Sequence, residues 1–301
     1  MSDFYPTFIG IGAQKCASTW VYRILEDHPE VWVSDRKELD FFSLYYDRGF
    51  QWYERHFKNA EAEIRGEISP SYFHDALSPV RAAAYKPDLK ILITLRDPVE
   101  RAFSNHLHEI RLGFFQGPDL RFEAGLKNNV MYLEKSKYAQ HIKRWMAHFP
   151  KDRFLVLLQE EIRDDPMREA ESVYRFLNVT PGHESQFLHR RANTSFGEKI
   201  RGVDAVFRYA GKIGRRFGAS SIIERLRHSQ TIVGLREANR HHLSKAVPPM
   251  QAATAEKLYA LFARDTLELA SIIGRKTLPW NTWIYAASMS ESQKTLIERD
   301  G

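Results

Sequence analysis

Short apolar runs alternate with longer amphipathic stretches through the first half of the chain. Phe8 to Gly12, Lys90 to Leu95 and Phe154 to Leu158 are each bounded by Gly, Pro or charge, the pattern of strands buried on both faces of a parallel sheet. Between them apolar positions recur at helical spacing over Thr19 to Asp27, Ala76 to Tyr85, Pro98 to Leu112 and Tyr138 to Phe149, stopped in three cases by His28-Pro29, Gly113 and Pro150. This alternation predicts an α/β fold, a three-layer sandwich with a central parallel sheet. Ala253 to Gly274 reads as a long C-terminal helix ahead of Trp280, and no repeat or low-complexity tract interrupts the pattern. A single domain over 1–301, with a substantial core, is the expectation.

Two of the predicted strands run into segments that suit anions. The first is Gly10-Ile11-Gly12-Ala13-Gln14-Lys15-Cys16-Ala17-Ser18-Thr19, which opens a helix. The second is Leu95-Arg96-Asp97-Pro98-Val99-Glu100-Arg101-Ala102-Phe103-Ser104, where Asp97 as N-cap, Pro98 at N1 and Glu100 at N3 form a capping-box variant. Each places positive charge and unpaired backbone N–H groups at a helix N-terminus. Two such sites suggest a ligand with two phosphate groups. Ser104 falls roughly 10 Å along its helix at ~1.5 Å rise per residue, so it shares a ligand with Arg96 only where that ligand lies alongside the helix.

Charge adds a modest bias. The 44 Lys+Arg against 38 Asp+Glu give a net +6, which suits anionic ligands without demanding nucleic acid. Eleven of the basic residues fall in Lys199 to Lys245, against three acids, with Val203, Val206, Phe207, Ala210 and Ile213 at helical spacing. This basic excursion, about 199–247, is either an amphipathic face for an acidic acceptor or a peripheral membrane surface, or a solvated helical excursion packed on the domain. Cys16 is the one cysteine, so no internal disulfide forms. No signal peptide or membrane-length apolar run is found, and a cytoplasmic protein is expected. Neither a G-x-x-x-x-G-K-[ST] phosphate loop with its Mg²⁺ hydroxyl nor a G-x-G-x-x-G dinucleotide fingerprint is matched.

The motifs resemble those of sulfotransferases that use 3′-phosphoadenosine 5′-phosphosulfate (PAPS), and are most similar to the branch that includes heparan sulfate sulfotransferases. Gly12 to Thr19 resembles the family's 5′-phosphosulfate loop, and Arg96-Asp97-Pro98 through Ser104 its 3′-phosphate site. Lys37-Glu38-Leu39-Asp40-Phe41-Phe42 resembles its K-E-x-x-F-F stretch, Glu67 to Phe73 its E-K-[TS]-P-x-Y-F segment, and Ser136-Lys137-Tyr138 with Trp145 its S-x-Y…W element. The likeness covers about 8–180 and returns over 248–280.

The resemblance implies a P-loop NTPase-like sulfotransferase fold and sulfuryl transfer from PAPS, without a metal, to a hydroxyl or amine of a carbohydrate or carbohydrate-bearing acceptor. It assigns Glu38 as general base and Lys15 as stabiliser of the leaving group. Gln14, Lys15, Cys16, Ala17, Ser18 and Thr19 would hold the 5′-phosphosulfate, and Arg96 with Ser104 the 3′-phosphate. Tyr138 joins the cofactor residues, and Arg201, Arg240 or Lys245 would close over the nucleotide. Asp40, Ser71 and His74 are acceptor-side candidates, Asp40 alternatively capping the next element. His74, His106 and His108 are weaker candidate bases. Arg101 either assists the phosphate or pairs with Glu100 or Glu109. Phe41 and Phe42 read as core and Cys16 as a small space-filler. Ala17 stands where the family has Gly, which argues against a left-handed turn there, and Ile68 stands where the heparan branch has Lys. A small-molecule kinase with an altered phosphate loop and a basic polyanion-binding adaptor are the rival readings.

Overall fold

The computed structural model describes residues 5–58, 62–115, 117–190, 196–198, 240–242 and 247–289, with the backbone alone at 118–119, 196–198 and 240–242. Strand β1 (Phe8–Gly12) leads through a tight loop into α1 (Ser18–Glu26), then β2 (Val31–Val33) and the short α2 (Phe50–Glu54). Strand β3 (Ile64–Ile68), α3 (Ser78–Tyr85), β4 (Lys90–Leu95) and α4 (Pro98–Leu112) follow. After α5 (Phe122–Asn128), α6 (Met131–Glu134) and α7 (Tyr138–Met146), β5 (Phe154–Leu158) completes the sheet. It is followed by α8 (Gln159–Asp164) and α9 (Pro166–Leu177). Strands β6 (Phe196–Glu198) and β7 (Arg240–His242) pair antiparallel, and α10 (Ala252–Ile273) and α11 (Asn281–Ser288) close the described chain.

The five-stranded sheet has the order β2-β3-β1-β4-β5, and every neighbouring pair is parallel. Residues of opposite pleat in β1 and β4 serve two cores. Ile9, Ile11, Ile91, Ile93 and Leu95 face a cluster with Phe41, Phe42, Tyr53, Trp145 and Trp280. Phe8 and Leu92 face Trp20, Ile24, Leu25, Val173, Tyr174 and Leu177. Burial of each such side chain contributes about 1.5–3 kcal/mol, so helices on both faces are held by the same strands. The three-layer α/β architecture expected from the sequence is the one found.

The sequence pattern had marked three strands, and the sheet contains two more. β2 is only three residues long. β3 reads Ile-Arg-Gly-Glu-Ile, with no apolar run to betray it. Gly66 is required there by contact, because a Cβ would collide with the Phe8 carbonyl of the adjacent strand.

The chain divides into two compact units. One comprises 1–105, 126–192 and 250–301, and the other 106–125 and 193–249. The first holds the five-stranded sheet. In the second, Phe115 and Phe122 pack against the His106 ring, whose Nε2 meets the Leu120 carbonyl oxygen at 3.0 Å. Of the basic excursion, Arg201 and Lys245 lie outside the described residues, and Arg240 is described as the backbone opposite Glu198 in the β6–β7 pair. No helix among the described residues is long and apolar enough to cross a membrane.

Candidate active site

In an open parallel sheet, ligands bind beyond the carboxyl ends of the strands, where the chain leaves neighbouring strands in opposite directions. β1 lies between β3 and β4, and the motif segments follow the ends of four adjacent strands: 12–19 after β1, 37–42 after β2, 69–73 after β3 and 96–104 after β4. Backbone bonds lock these exits together. Ala13 N donates to Thr94 O at 2.6 Å and Ser69 N to Gly10 O at 2.9 Å. A Cβ at Gly12 would stand 2.8 Å from the Pro70 carbonyl oxygen, so only glycine lets the two loops approach.

The loop after β1 turns through left-handed residues. Lys15 has φ 68° and Ala17 φ 69°. Alanine therefore occupies the left-handed region that its Cβ disfavours, and the turn keeps the geometry that the change from Gly had put in question. The surroundings hold the turn: Cys16 between them is fully buried, and Ala17 O accepts from Trp20 N at 2.9 Å and Val21 N at 3.3 Å. No side chain caps α1, and no acid lies in its first turn. Such a terminus, preceded by a left-handed turn, presents backbone N–H groups to an anion. Gln14, Lys15, Cys16, Ala17, Ser18 and Thr19 all lie on it. Lys135 Nζ donates to Gln14 Oε1 at 2.9 Å. Burial pushes the Cys16 thiol up to about 11, so it is no thiolate nucleophile at neutral pH.

The second anion motif begins at Arg96. Asp97 Oδ1 accepts from Val99 N at 2.9 Å and Glu100 N at 3.2 Å, as an N-cap does. The reciprocal arm of the expected capping box is not made by Glu100. Asp97 N donates instead to Glu160 Oε1 at 3.1 Å, and Glu100 pairs with Arg96 at 3.0 Å. Asp97 also accepts from Thr282 N at 3.0 Å, pinning α11 to the same corner. Ser104 lies farther along α4, half-buried.

Arg101 does not take Glu100, which pairs with Arg96, as its partner. It is fully buried, with Nε donating to Ser136 Oγ at 2.6 Å and Nη2 to Tyr132 O at 2.7 Å. Tyr138, at the start of α7, donates to Arg96 O at 3.0 Å and lies 3.7 Å from Cys16 Sγ. Its buried hydroxyl thus stitches the two anion motifs to each other.

Glu38 sits on the loop after β2, half-buried, with Lys37 Nζ 3.6 Å from its carboxylate. Burial raises its pKa above the ordinary glutamate value, and Asp40 adds to this. Lys37 and Lys15 oppose it. Burial in turn lowers Lys37, against the pull of Glu38, Glu67 and Asp40. Asp40 has φ 52°. Its carbonyl accepts from Leu44 N at 2.8 Å, and its Oδ1 accepts from Ser71 Oγ at 2.5 Å. Ser71 also meets Ser43 Oγ at 2.7 Å. Phe41 and Phe42 are fully buried, as core residues. His74 is pushed down to about 3, by burial first and then by Lys135, so it is neutral at physiological pH. His108 Nδ1 meets Arg111 Nη2 at 2.8 Å.

Two further carboxylates lie at this edge, Glu160 outside every motif and Glu67 as the first residue of the E-K-[TS]-P-x-Y-F-like segment. Glu160, whose Oε2 accepts from Trp280 Nε1 at 3.0 Å, completes the start of α4. Glu67, in β3, is buried beneath the Glu38 loop.

The sequence profile described as "Sulfotransferase domain" matches residues 6–202. The chain belongs to the PAPS-dependent sulfotransferase family. It is 32% identical over 205 residues to bifunctional heparan sulfate N-deacetylase/N-sulfotransferase 4 of Mus musculus, an alignment covering 60% of this chain and 23% of that protein. Over 307 residues it is 27% identical to the corresponding enzyme 2 of Bos taurus, covering 94% of this chain and 31% of that protein. The chain thus spans less than a third of the length of these relatives. A sulfotransferase from Alicyclobacillus acidocaldarius has the same fold, with a TM-score of 0.66 at 22% identity, covering 90% of this chain and 97% of that one.

Proposed function

We propose that this chain transfers the sulfuryl group of PAPS to a hydroxyl or amine of a carbohydrate or carbohydrate-bearing acceptor, with Glu38 as general base. The observation that carries the reading is the placement of the Lys15 loop, the Glu38 loop and Arg96 beyond the carboxyl ends of strands of one parallel sheet. The Glu38 carboxyl senses the charge of Lys15, so a candidate base and a candidate leaving-group cation serve one edge of the sheet. The heparan sulfate relatives support a carbohydrate acceptor.

The residues fit the donor nucleotide. The uncapped start of α1 and its left-handed approach suit the 5′-phosphosulfate, with the Ser18 and Thr19 hydroxyls at hand. Arg96, at the head of α4, suits the 3′-phosphate through its planar fork, with Ser104 adding a hydrogen bond. Its pairing with the half-exposed Glu100 is a weak one of the kind that yields to a phosphate. PAPS supplies an activated sulfuryl group that carries less charge than a phosphoryl group, and its transfer requires no metal. As the acceptor lone pair bonds to sulfur, the acceptor proton passes to Glu38. The S–O bond to the 5′-phosphate breaks with its electron pair leaving on the nucleotide. Lys15 and the loop N–H groups stabilise that developing charge.

Calorimetry tests the nucleotide assignment. Arg96→Ala is expected to weaken adenosine 3′,5′-bisphosphate binding by about 10- to 10²-fold, the equivalent of lost charge-assisted hydrogen bonds, and to leave adenosine 5′-phosphate binding unchanged. Equal weakening of both nucleotides would remove Arg96 from the 3′-phosphate site.

A further inference from the structure

Beneath the loop that carries Glu38 lies a buried relay. Glu67 is 1% exposed. Its Oε2 accepts from Ser69 Oγ at 2.6 Å, and its Oε1 accepts from Tyr72 Oη at 2.6 Å and from Tyr53 Oη at 3.3 Å. The first two hydroxyls are used twice. Ser69 Oγ accepts from Asp40 N at 2.9 Å, and Tyr72 Oη accepts from Phe41 N at 2.8 Å. A hydroxyl has one proton and two lone pairs. Because the carboxylate takes both protons, both hydroxyls turn lone pairs toward consecutive backbone N–H groups two and three residues beyond Glu38.

We infer that Glu67 is a positioning residue: through Ser69 and Tyr72 its carboxylate clamps the backbone at Asp40 and Phe41 and so fixes the direction in which Glu38 presents its own carboxylate. The inference rests on the reading of Glu38 as general base. Glu67 touches neither nucleotide nor acceptor in this scheme and acts only through the loop.

The clamp depends on protonation. The carboxylate form accepts three hydrogen bonds. The acid form carries a proton of its own into a site where every neighbouring hydroxyl already donates, so one hydroxyl must reverse, and when it is Ser69 or Tyr72 the link from the carboxyl group to a loop amide is weakened. Burial pushes Glu67 up to about 7, with Asp40 adding and Ser69, Tyr72 and Tyr53 opposing. The groups acting on it come from three directions: Tyr53 on α2, Tyr72 after β3, and Asp40 and Lys37 on the Glu38 loop. Two opposite pH dependences follow. Turnover gains a limb that rises through about pH 7 as the clamp ionises. Stability contributed by this group runs the other way: the folded state holds the proton more tightly than the unfolded chain does, so stability falls as pH rises from about 4.5 to about 7.

The test measures labelled sulfuryl transfer from PAPS to unsulfated, de-N-acetylated heparosan polysaccharide, with bisphosphate calorimetry and amide hydrogen exchange on the same full-length proteins. Glu67→Gln is expected to lower kcat at least tenfold at pH 7.5 with bisphosphate affinity unchanged, and to abolish the limb near pH 7. It should also expose the Asp40 and Phe41 amides to exchange. Ser69→Ala and Tyr72→Phe keep the carboxylate and divide the effect, the first releasing Asp40 and the second Phe41. They also decide the matter should Glu67→Gln fail to fold. A structural role alone would lower Tm and leave the pH limb and the kcat-to-affinity split in place. If Glu38→Gln is inactive while folded Glu67→Gln, Ser69→Ala and Tyr72→Phe keep wild-type kcat and pH profile, the clamp is overturned and the base assignment stands. If Glu38→Gln turns over normally, the base assignment falls, and the clamp as a catalytic device falls with it.

Discussion

Replacing Glu38 with Gln is expected to lower turnover by roughly 10²- to 10⁴-fold, the usual contribution of a positioned general base, while adenosine 3′,5′-bisphosphate binds as before. Gln preserves size and polarity but cannot take the acceptor proton at neutral pH. The environment prepares Glu38 for that step. Burial raises its pKa above the ordinary glutamate value, and the charges of Lys37 and Lys15 keep the rise in check. A base must be ionised to act, so wild-type turnover rises with pH through that raised value, and the variant loses this limb. The check is kcat over pH 4.5–8 with the heparosan probe, beside calorimetry. A variant that turns over normally would show that the proton leaves by another route.

The second large effect is expected at Lys15. Lys15→Ala should lower kcat by about 10²- to 10³-fold, the range found when one preorganised donor to developing negative charge is removed. Bisphosphate affinity should fall far less, because the charge that Lys15 stabilises is greatest on the breaking S–O bond. The backbone supports this division of labour. Lys15 is held at φ 68° in a loop fastened to β4 through Ala13 and to Lys135 through Gln14, so the side chain leaves a rigid turn. Parallel measurement of kcat and nucleotide Kd checks it. Loss of affinity equal to loss of turnover would make Lys15 a uniform binding residue.

Much of this site was legible because its elements obey local rules. The apolar runs at Phe8, Lys90 and Phe154 became β1, β4 and β5 with the same boundaries, and Asp97-Pro98 began α4 as its capping chemistry requires. What was hidden depends on partners distant in sequence. β3 is a strand because β1 and β2 flank it, although Arg65, Gly66 and Glu67 spoil its apolar pattern. Glu160 takes the N–H of Asp97 from 63 residues away, which no spacing rule for a capping box anticipates. Ala17 keeps a left-handed φ because the loop and Cys16 are packed in place. The same holds for Arg101, whose fully buried guanidinium donates to Ser136 and Tyr132, both distant in sequence. Glu67 was visible in the sequence only as part of a motif, and its role emerges only once Ser69, Tyr72 and the loop amides are brought together.

The most direct test of the account is the structure of this chain bound to adenosine 3′,5′-bisphosphate. The predicted result has the 5′-phosphate on the backbone N–H groups of the 14–19 turn beside Lys15, and the 3′-phosphate on Arg96 and Ser104. Glu38 should face the open side of the 5′-phosphate, where an acceptor approaches. A nucleotide bound away from the carboxyl edge of β1 and β4, or a 3′-phosphate that leaves Arg96 with Glu100, would contradict it.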